Sequence, residues 1–458
     1  MVLDKGFHGH MVEGTQGAVA VEAQECSDVG VDILKQGGNA VDAAIASALC
    51  IGVINSFATG GFMLIRAPNG TFEFIDFRET APAASHKDMF VDDPSLAKYG
   101  GMSVGVPGEI RGFELAHQRH GKLPWETLFQ PAIRMAREGF RTTRYLNEKL
   151  QSSLPWIEDE WEWAEIFAPK GSIAEIDDII KRPNLAQTLE TIAKQGADAF
   201  YEGPIAQAIV NATRQAGGIL TEDDMRNYKA LIREPVSTFY HGRKVITGPA
   251  PTSGPVLLSM LNVIERYNLA SKGPTPVNLH RIIETMKFGA AFRTELGDPQ
   301  WTHNQDRLDE IISKDWAARV RTNLTDDTTH DPLYYQPKYD HLESPGTMHL
   351  SVVDRDDGAV ALTSTVNLLF GSRVMDPVTG VVLNDEMDDF SIPSVPNAFG
   401  LYPSYHNYAA PGKRPLSSTT PTIIELDNRF EMALGGSGGS QIVTASLDVK
   451  MTMGKVME

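Results

Sequence analysis

Two hydrophobic periods divide the first part of the chain into helices and strands. A period near 3.6 residues predicts a helix over 21–36, which ends at the glycine pair 37–38 because glycines commonly end helices. Asn39 follows as the cap of a second helix. Alternation with a period of two predicts strands over 62–66 and 72–77, joined by a tight turn.

The middle of the chain keeps the helical period. Apolar spacing predicts helices over 183–208, 256–269 and 278–295. Residues 248–255 are rich in proline and glycine, and they indicate either a linker or a loop inside one domain. The polar stretch 322–345 contains three prolines and is interpreted as an exposed, mobile segment.

After residue 346 the pattern changes to the two-residue period of strands. Two hairpins are predicted, one from 350–354 and 359–366 and the other from 422–426 and 430–434. Helices and strands alternate here without the regular strand–helix–strand order of a parallel sheet. The pattern therefore indicates a layered α/β sandwich.

Composition indicates a globular protein and limits the classes of partner that it is expected to bind. Of the 458 residues, 42% are hydrophobic and 22% are charged, which suits a large core. The 41 basic and 59 acidic residues give a formal net charge of −18, which disfavours nucleic acid and anionic membrane surfaces. No apolar run is long enough to span a membrane. The two cysteines, Cys26 and Cys50, exclude a disulfide scaffold and leave a single bridge, the redox compartment and the localisation open.

Common cofactor and nucleophile motifs are absent or fail a test. The chain has no phosphate-binding glycine–lysine loop and no paired-histidine zinc motif, so no cofactor and no metal are expected. Residues 435–439 match the nucleophile elbow of α/β-hydrolases, but that fold needs a histidine downstream of the serine, and the last histidine, His406, precedes it. The glycines are better interpreted as a tight turn whose backbone N–H groups can form an oxyanion hole.

A polar stretch meets a predicted strand at Thr347. A lone threonine in that position is most often only a strand former, so its significance depends on the motifs around it. Those motifs are residues 37–44, 76–82, 105–108, 254–255, 344–354, 363–367, 384–390 and 413–418. Together, from about residue 17 to about 445, they resemble the γ-glutamyltransferase (glutathione hydrolase) family. The residue pattern of 367–372 resembles that of eukaryotic, fungal members.

Members of that family are N-terminal-nucleophile hydrolases, so the resemblance implies a four-layer αββα sandwich. It also implies self-cleavage between Gly346 and Thr347 into a large fragment, 1–346, and a small fragment, 347–458, which associate as a heterodimer. Thr347 then supplies both the nucleophilic hydroxyl and, through its freed α-amine with a reference pKa of about 7.7 to 8.0, the general base. Thr365 is implied to orient the nucleophile.

The implied substrates are glutathione, glutathione S-conjugates and other γ-glutamyl compounds, with water or an acceptor amino acid or dipeptide releasing the acyl group. Gly438 and Gly439 are implied to stabilise the oxyanion. Six residues are implied to bind the head group of the substrate: Arg78, Asn367, Glu386, Asp389, Ser417 and Ser418. The arginine and the serines suit its carboxylate, and the acidic residues with the asparagine suit its ammonium.

Each of these residues also has a simpler interpretation. Arg78 could form a surface ion pair, and the two serines could belong only to a turn. The acidic run 385–389 could be a solvated loop or a calcium site. The combination of an arginine, hydroxyls and carboxylates favours the binding interpretation.

Three departures from the family pattern support an alternative. Residues 58–62 form a shorter glycine run, and Met348 stands where relatives carry a small hydroxyl residue. The sequence also stops earlier than its relatives. The alternative is therefore an unprocessed, catalytically inactive member with a binding or structural role. A third possibility is an acylase with a different acyl group, which the retained carboxylate and ammonium residues oppose.

Overall fold

The computed structural model describes residues 12–56, 59–267, 269, 273, 275–340 and 347–453, with side chains as far as residue 448. The strands are β1 (Gly17–Ala20), β2 (Gly60–Arg66), β3 (Phe72–Asp76), β4 (Phe140–Arg141), β5 (Ile179–Ile180), β6 (Leu231–Arg233), β7 (Val236–Tyr240), β8 (Arg243–Thr247), β9 (Met348–Asp354), β10 (Ala359–Thr365), β11 (Thr422–Leu426) and β12 (Arg429–Leu434).

The helices fall mainly in the first 325 residues. Before residue 200 they are α1 (Gln24–Lys35), α2 (Ala40–Ile54), α3 (Glu109–His120), α4 (Trp125–Glu138), α5 (Arg144–Ser152), α6 (Leu154–Ile157), α7 (Trp161–Phe167) and α8 (Pro183–Gln195). The later ones are α9 (Asp198–Tyr201), α10 (Pro204–Gln215), α11 (Glu222–Asn227), α12 (Gly254–Ile264), α13 (Pro276–Arg293), α14 (Pro299–Thr302), α15 (Gln305–Ile311), α16 (Lys314–Asn323) and α17 (Gln441–Met453). Short 3₁₀ turns are Pro94–Ala97, Gly101–Ser103, Pro332–Tyr335, Glu386–Asp389 and Tyr405–Asn407.

Two antiparallel sheets form the centre of the molecule. The larger has the order β1-β9-β10-β2-β3-β6, and the smaller has the order β12-β11-β8-β7. Their facing sides meet in an apolar cluster that includes Phe62, Phe74, Ile246 and Ile423. The two sheets therefore pack face to face.

Helices cover the outer face of each sheet. Helices α1, α2 and α3 contact the larger sheet, and α12 contacts the smaller one. Helix α2 begins with a capping box in which the Asn39 side chain accepts from the backbone N–H groups of Val41 and Asp42. The layers are helix, sheet, sheet and helix, which confirms the predicted αββα sandwich.

The predicted helices and hairpins are present with two corrections. The helix predicted over 183–208 is broken into α8, α9 and the start of α10, because Gly196 and Gly203 have φ values of 86° and 73°. The segment predicted to be exposed over 322–345 is partly anchored: Tyr335 is buried and its hydroxyl donates to Glu284 at 2.6 Å. Residues 341–346 of that segment lie outside the described residues.

The two cysteines form one disulfide. Cys26 of α1 is bonded to Cys50 of α2, and both residues are buried. The bridge that the sequence left open is therefore present, and it joins two of the helices that cover the larger sheet.

Candidate active site

Thr347 and Thr365 lie opposite each other at one end of the larger sheet. The antiparallel ladder of β9 and β10 pairs Met348 with Ser364. Continuing it by one position brings Thr347 opposite Thr365, which is also paired with Gly60 of β2. Alternation along β10 turns Thr365 toward the space between the sheets, and Thr347 directly precedes β9 at the adjacent position of the ladder. The predicted nucleophile and its predicted orienting residue are therefore neighbours.

The glycine turn between β12 and α17 lies on the same face. A Cβ atom on Gly435 would stand 2.3 Å from Cε1 of His349, the residue two positions after Thr347, so only glycine permits this approach. Gly438 and Gly439 follow with φ values of 108° and 62°. Within the described part of the chain their backbone N–H groups donate to no protein acceptor, so they are available to a ligand.

The imidazole ring of His349 packs against this glycine turn, a structural role that the sequence analysis missed. Its Nδ1 lies 2.8 Å from the hydroxyl of Thr363, and its Nε2 lies 3.0 Å from that of Ser351. Burial lowers the pKa of His349 to about 3, so the ring is neutral and one nitrogen donates while the other accepts. The sequence signal that could have identified His349 was its position two residues after the predicted nucleophile, Thr347.

Arg78 forms a buried ion-pair cluster with Glu386 and Asp389. Its Nη1 donates to Glu386 and its Nη2 to Asp389, and only 1% of the residue is exposed. Burial opposes the charge of the guanidinium, but the two carboxylates raise the pKa of Arg78 above its ordinary value. The surface ion pair considered for Arg78 is therefore wrong. The structure buries it beside both residues predicted to bind the ammonium.

Carboxylates outnumber cations around this arginine. Within the described residues, four buried carboxylate oxygens have no hydrogen-bond partner, and they are Glu79 Oε2, Asp385 Oδ2, Glu386 Oε2 and Asp389 Oδ1. Burial raises the pKa of Glu79 to about 7, and it raises the pKa values of Asp385 and Glu386 as well. A cationic ligand with several N–H donors would satisfy these oxygens and lower the pKa values.

Hydrogen bonds connect Thr365 to this acidic cluster in two directions. Thr59 donates from its backbone N–H to the Thr365 carbonyl at 3.2 Å and from its hydroxyl to Glu79 at 2.7 Å. The backbone N–H of Asn367 donates to the Thr365 hydroxyl at 2.8 Å, and its amide donates to the Asp385 carbonyl at 3.2 Å. The two threonines and the acidic cluster therefore belong to one site.

Ser417 and Ser418, the serines predicted to bind the substrate carboxylate, have different hydrogen-bond partners. Arg78 Nε and Nη2 lie 3.4 Å and 3.3 Å from the carbonyls of the two residues before Ser417. The Ser417 hydroxyl donates to Thr419 at 3.1 Å. The Ser418 hydroxyl instead accepts from Nη2 of Arg293 at 2.8 Å. Arg293 is a second buried cation, whose pKa burial lowers to about 10, and the sequence analysis did not identify it.

The structure bears on two of the simpler interpretations. The acidic run is not a solvated loop, because Asp385 and Glu386 are 0% and 1% exposed. Among the described residues no group of three or more His, Cys, Asp or Glu side chains could hold a metal ion, so the calcium interpretation has no support. Met348 packs into the core between the larger sheet and its helices, on the side of β9 opposite to His349.

Comparison with known proteins identifies the family. A family profile described as "Gamma-glutamyltranspeptidase" matches residues 26–456. The chain is 47% identical to "Glutathione hydrolase proenzyme 1" of Schizosaccharomyces pombe, over 97% of this chain and 72% of that protein. It is 46% identical to "Glutathione hydrolase proenzyme" of Arthroderma benhamiae, over 95% and 78%. The chain belongs to the γ-glutamyltranspeptidase family.

Solved structures agree with this membership. The "Crystal structure of cephalosporin acylase from Bacillus halodurans" matches with a TM-score of 0.83 at 25% identity and covers 98% of this chain and 83% of that one. The γ-glutamyltranspeptidase of Helicobacter pylori matches with a TM-score of 0.68 at 29% identity, over 70% and 96%. The alternative of an inactive family member gains no support from these relatives. In the part of the chain that the structure describes, no helix has the length and apolarity of a membrane span.

A further buried acid lies on the helix side of β10. Glu109 begins α3 and lies 2.7 Å from the hydroxyl of Ser364, which is itself 3.1 Å from the carbonyl of Gly60. Burial raises the pKa of Glu109 to about 8. One serine proton cannot serve both acceptors, but a protonated Glu109 can donate to Ser364 while Ser364 donates to Gly60.

Because the folded chain holds this proton from about pH 4.5 to about pH 8 and the unfolded chain loses it, Glu109 should lower the free energy of unfolding as pH rises through that window. The slope approaches about 1.4 kcal/mol per pH unit. Glu109→Gln should melt near the wild type at pH 5 and several degrees higher at pH 9, as measured by calorimetry. Glu126→Gln, at an exposed position in the first turn of α4, is the control. A melting difference that does not vary with pH contradicts the prediction.

Proposed function

We propose that this protein is a glutathione hydrolase and γ-glutamyltransferase that acts through a γ-glutamyl ester on Thr347. Its donors are glutathione, glutathione S-conjugates and other γ-glutamyl compounds. Water or an acceptor amino acid or dipeptide takes the acyl group. The names of the fungal relatives and the family membership support this function.

One observation carries the choice of substrate. A γ-glutamyl head group presents a carboxylate and an ammonium on the same carbon. The cluster around Arg78 has a guanidinium for the first and carboxylate oxygens of Glu386 and Asp389 without partners for the second. The side-chain amide of Asn367 bonds to the carbonyl of Asp385, which directly precedes Glu386. Ser417 and Ser418 follow the two residues whose carbonyls lie near the Arg78 guanidinium. Such a site suits a zwitterion better than a plain carboxylate or amine.

The proposed activation step is self-cleavage between Gly346 and Thr347, although Gly346 lies outside the described residues. The hydroxyl of Thr347 attacks the preceding carbonyl carbon, the peptide bond to its nitrogen breaks, and water hydrolyses the resulting ester. Backbone strain favours this reaction, because φ of Thr347 is 116° and a β-branched residue there is destabilised by about 1–3 kcal/mol. The products are fragments 1–346 and 347–458, which remain together as a heterodimer.

Catalysis then uses the freed α-amine. It takes the proton of the Thr347 hydroxyl as the oxygen attacks the γ-carbonyl of the donor. The backbone N–H groups of Gly438 and Gly439 stabilise the oxyanion, and Thr365 orients the hydroxyl. The leaving amine takes the proton, and water or an acceptor amine then attacks the ester and regenerates Thr347.

The proposal is tested by measuring hydrolysis of glutathione and of γ-glutamyl-p-nitroanilide with the purified chain. Two further anilides act as controls. The glutaryl compound keeps the carboxylate and lacks the ammonium, and the 4-aminobutyryl compound keeps the ammonium and lacks the carboxylate. Turnover of the γ-glutamyl compound at least about 10²-fold above both controls is expected, since each missing group leaves buried charges without partners. Preference for the glutaryl compound would instead favour an acylase. Absence of turnover with glutathione and all three anilides would overturn the proposal that the protein is an enzyme.

A further inference from the structure

Three ion pairs join four charged side chains into a chain next to Arg78. Nε of Arg233 lies 2.6 Å from Oδ2 of Asp76, and its Nη2 lies 3.2 Å from Oδ1 of Asp298. Nε of Arg414 lies 3.2 Å from Oδ1 of Asp76. Both aspartates are fully buried, and the Arg233 side chain is 12% exposed. Two positive and two negative charges balance, so the network can be buried without a net charge.

The two aspartates use their remaining capacity to hold the main chain of the substrate site. Asp76 accepts from the backbone N–H of Arg78 at 3.0 Å, and Asp298 accepts from the backbone N–H of Arg414 at 3.0 Å. On the other side of Arg78, the Tyr228 hydroxyl donates to its carbonyl at 2.8 Å. The backbone around Arg78 is therefore held on two sides, and the segment that leads to the serines is held by the same network.

Arg233 is the member that joins these two restraints. It contacts both aspartates and lies on the edge strand β6. In the described part of the chain, its side chain forms no hydrogen bond or ion pair with Arg78, Glu386 or Asp389. Removing it would leave Asp76 and Asp298 buried with one cation fewer, and the two carboxylates would repel each other or shift toward water. The backbone of Arg78 and the segment after Arg414 would then lose their common anchor.

We propose that Arg233 is a positioning residue for the substrate carboxylate. By binding Asp76 and Asp298 together, it fixes the guanidinium of Arg78 relative to the segment that carries Ser417 and Ser418. The inference deepens the proposed function and rests on it. Thr347, Thr365 and the glycine turn lie on other elements, so the effect should fall on substrate binding and not on the nucleophile.

The test compares the 458-residue chain carrying Arg233→Gln or Arg233→Lys with the wild type. Arg233→Gln should raise the KM for γ-glutamyl-p-nitroanilide about 10- to 30-fold, change kcat by less than about threefold and cleave itself normally, because a displaced Arg78 guanidinium loses part of its charge-assisted contact with the substrate carboxylate. Arg233→Lys keeps the charge but cannot reach both carboxylates as a fork does. Its KM should lie between the two.

A second substrate separates positioning from general damage. The 4-aminobutyryl anilide has no carboxylate, so its slow turnover should be the same in Arg233→Gln and the wild type. Arg119→Gln removes an exposed bidentate pair with Glu73, with distances of 2.6 Å and 2.6 Å, and should leave KM within about twofold. An unchanged KM in Arg233→Gln, or an equal loss for both anilides, overturns the inference.

Two further outcomes are also decisive. If Arg233→Gln does not fold, Arg233→Lys takes its place, and a KM within about twofold of the wild type overturns the proposal. If the wild type itself does not hydrolyse the γ-glutamyl anilide, the proposed function fails and the positioning role fails with it. Wild-type turnover with no KM change in either variant removes only the role of Arg233.

Discussion

Replacing Thr347 with alanine should leave a single uncut chain of 50.2 kDa and lower γ-glutamyl hydrolysis by at least about 10⁴-fold. The loss is large because the same side chain attacks the preceding peptide bond and the substrate, and removing a nucleophile commonly costs that much. Intact-mass measurement and the anilide assay on the same preparation check both parts.

Thr347→Ser is the matched variant, because it keeps a hydroxyl and removes one methyl group. It should still yield fragments 1–346 and 347–458 and retain measurable turnover. Thr71→Ala, in the exposed turn between β2 and β3, should behave as the wild type. Two fragments from Thr347→Ala with the same boundary would show that another group cleaves the chain, and the proposed nucleophile would be wrong.

Arg78→Lys should lower kcat/KM for γ-glutamyl-p-nitroanilide about 10²- to 10³-fold, mainly by raising KM. A lysine ammonium cannot reach Glu386, Asp389 and a substrate carboxylate with the planar fork of a guanidinium. A loss of about 3–4 kcal/mol of charge-assisted hydrogen bonding to the substrate carboxylate corresponds to this range, because about 1.4 kcal/mol is tenfold. Steady-state kinetics with the three anilides measures the effect, which should be much smaller for the 4-aminobutyryl compound.

Arg119→Lys is the control for this substitution, since that arginine pairs with Glu73 at the surface. Its kcat/KM should stay within about twofold of the wild type. Self-cleavage of Arg78→Lys should proceed, because Thr347 precedes β9 whereas Arg78 follows β3. A variant that cleaves itself and keeps wild-type kcat/KM would exclude Arg78 from binding the substrate carboxylate.

Local sequence signals predicted most of the fold. The cap at Asn39 and the turns between strands are determined by neighbouring residues, so α2 and the hairpins could be recognised directly. The break at Gly196 was missed because the apolar spacing on both sides has the helical period, and periodicity does not show where a glycine adopts a positive φ. The pairing of Cys26 with Cys50 could not be decided, because spacing alone does not bring two helices together.

The candidate site residues were predicted from separate motifs, but their structural partners were not. Arg78 and Glu386 are 308 positions apart, and only the fold shows that they form an ion pair. Arg293, Arg233 and Glu109 were missed for a related reason. An isolated charged residue in an amphipathic or edge element has the sequence pattern of a surface residue, and its burial depends on distant segments.

The order of strands in the larger sheet has a consequence for a chain cut before Thr347. Strands β9 and β10, from the second fragment, lie between β1 and β2 of the first, and β11 of the second fragment pairs with β8 of the first. Strands of the two fragments are adjacent in both sheets, so neither fragment can dissociate unless several pairs of strands separate at once. Unfolding of the cut protein is then also a dissociation, and its reversal requires an encounter of two molecules whose rate depends on protein concentration.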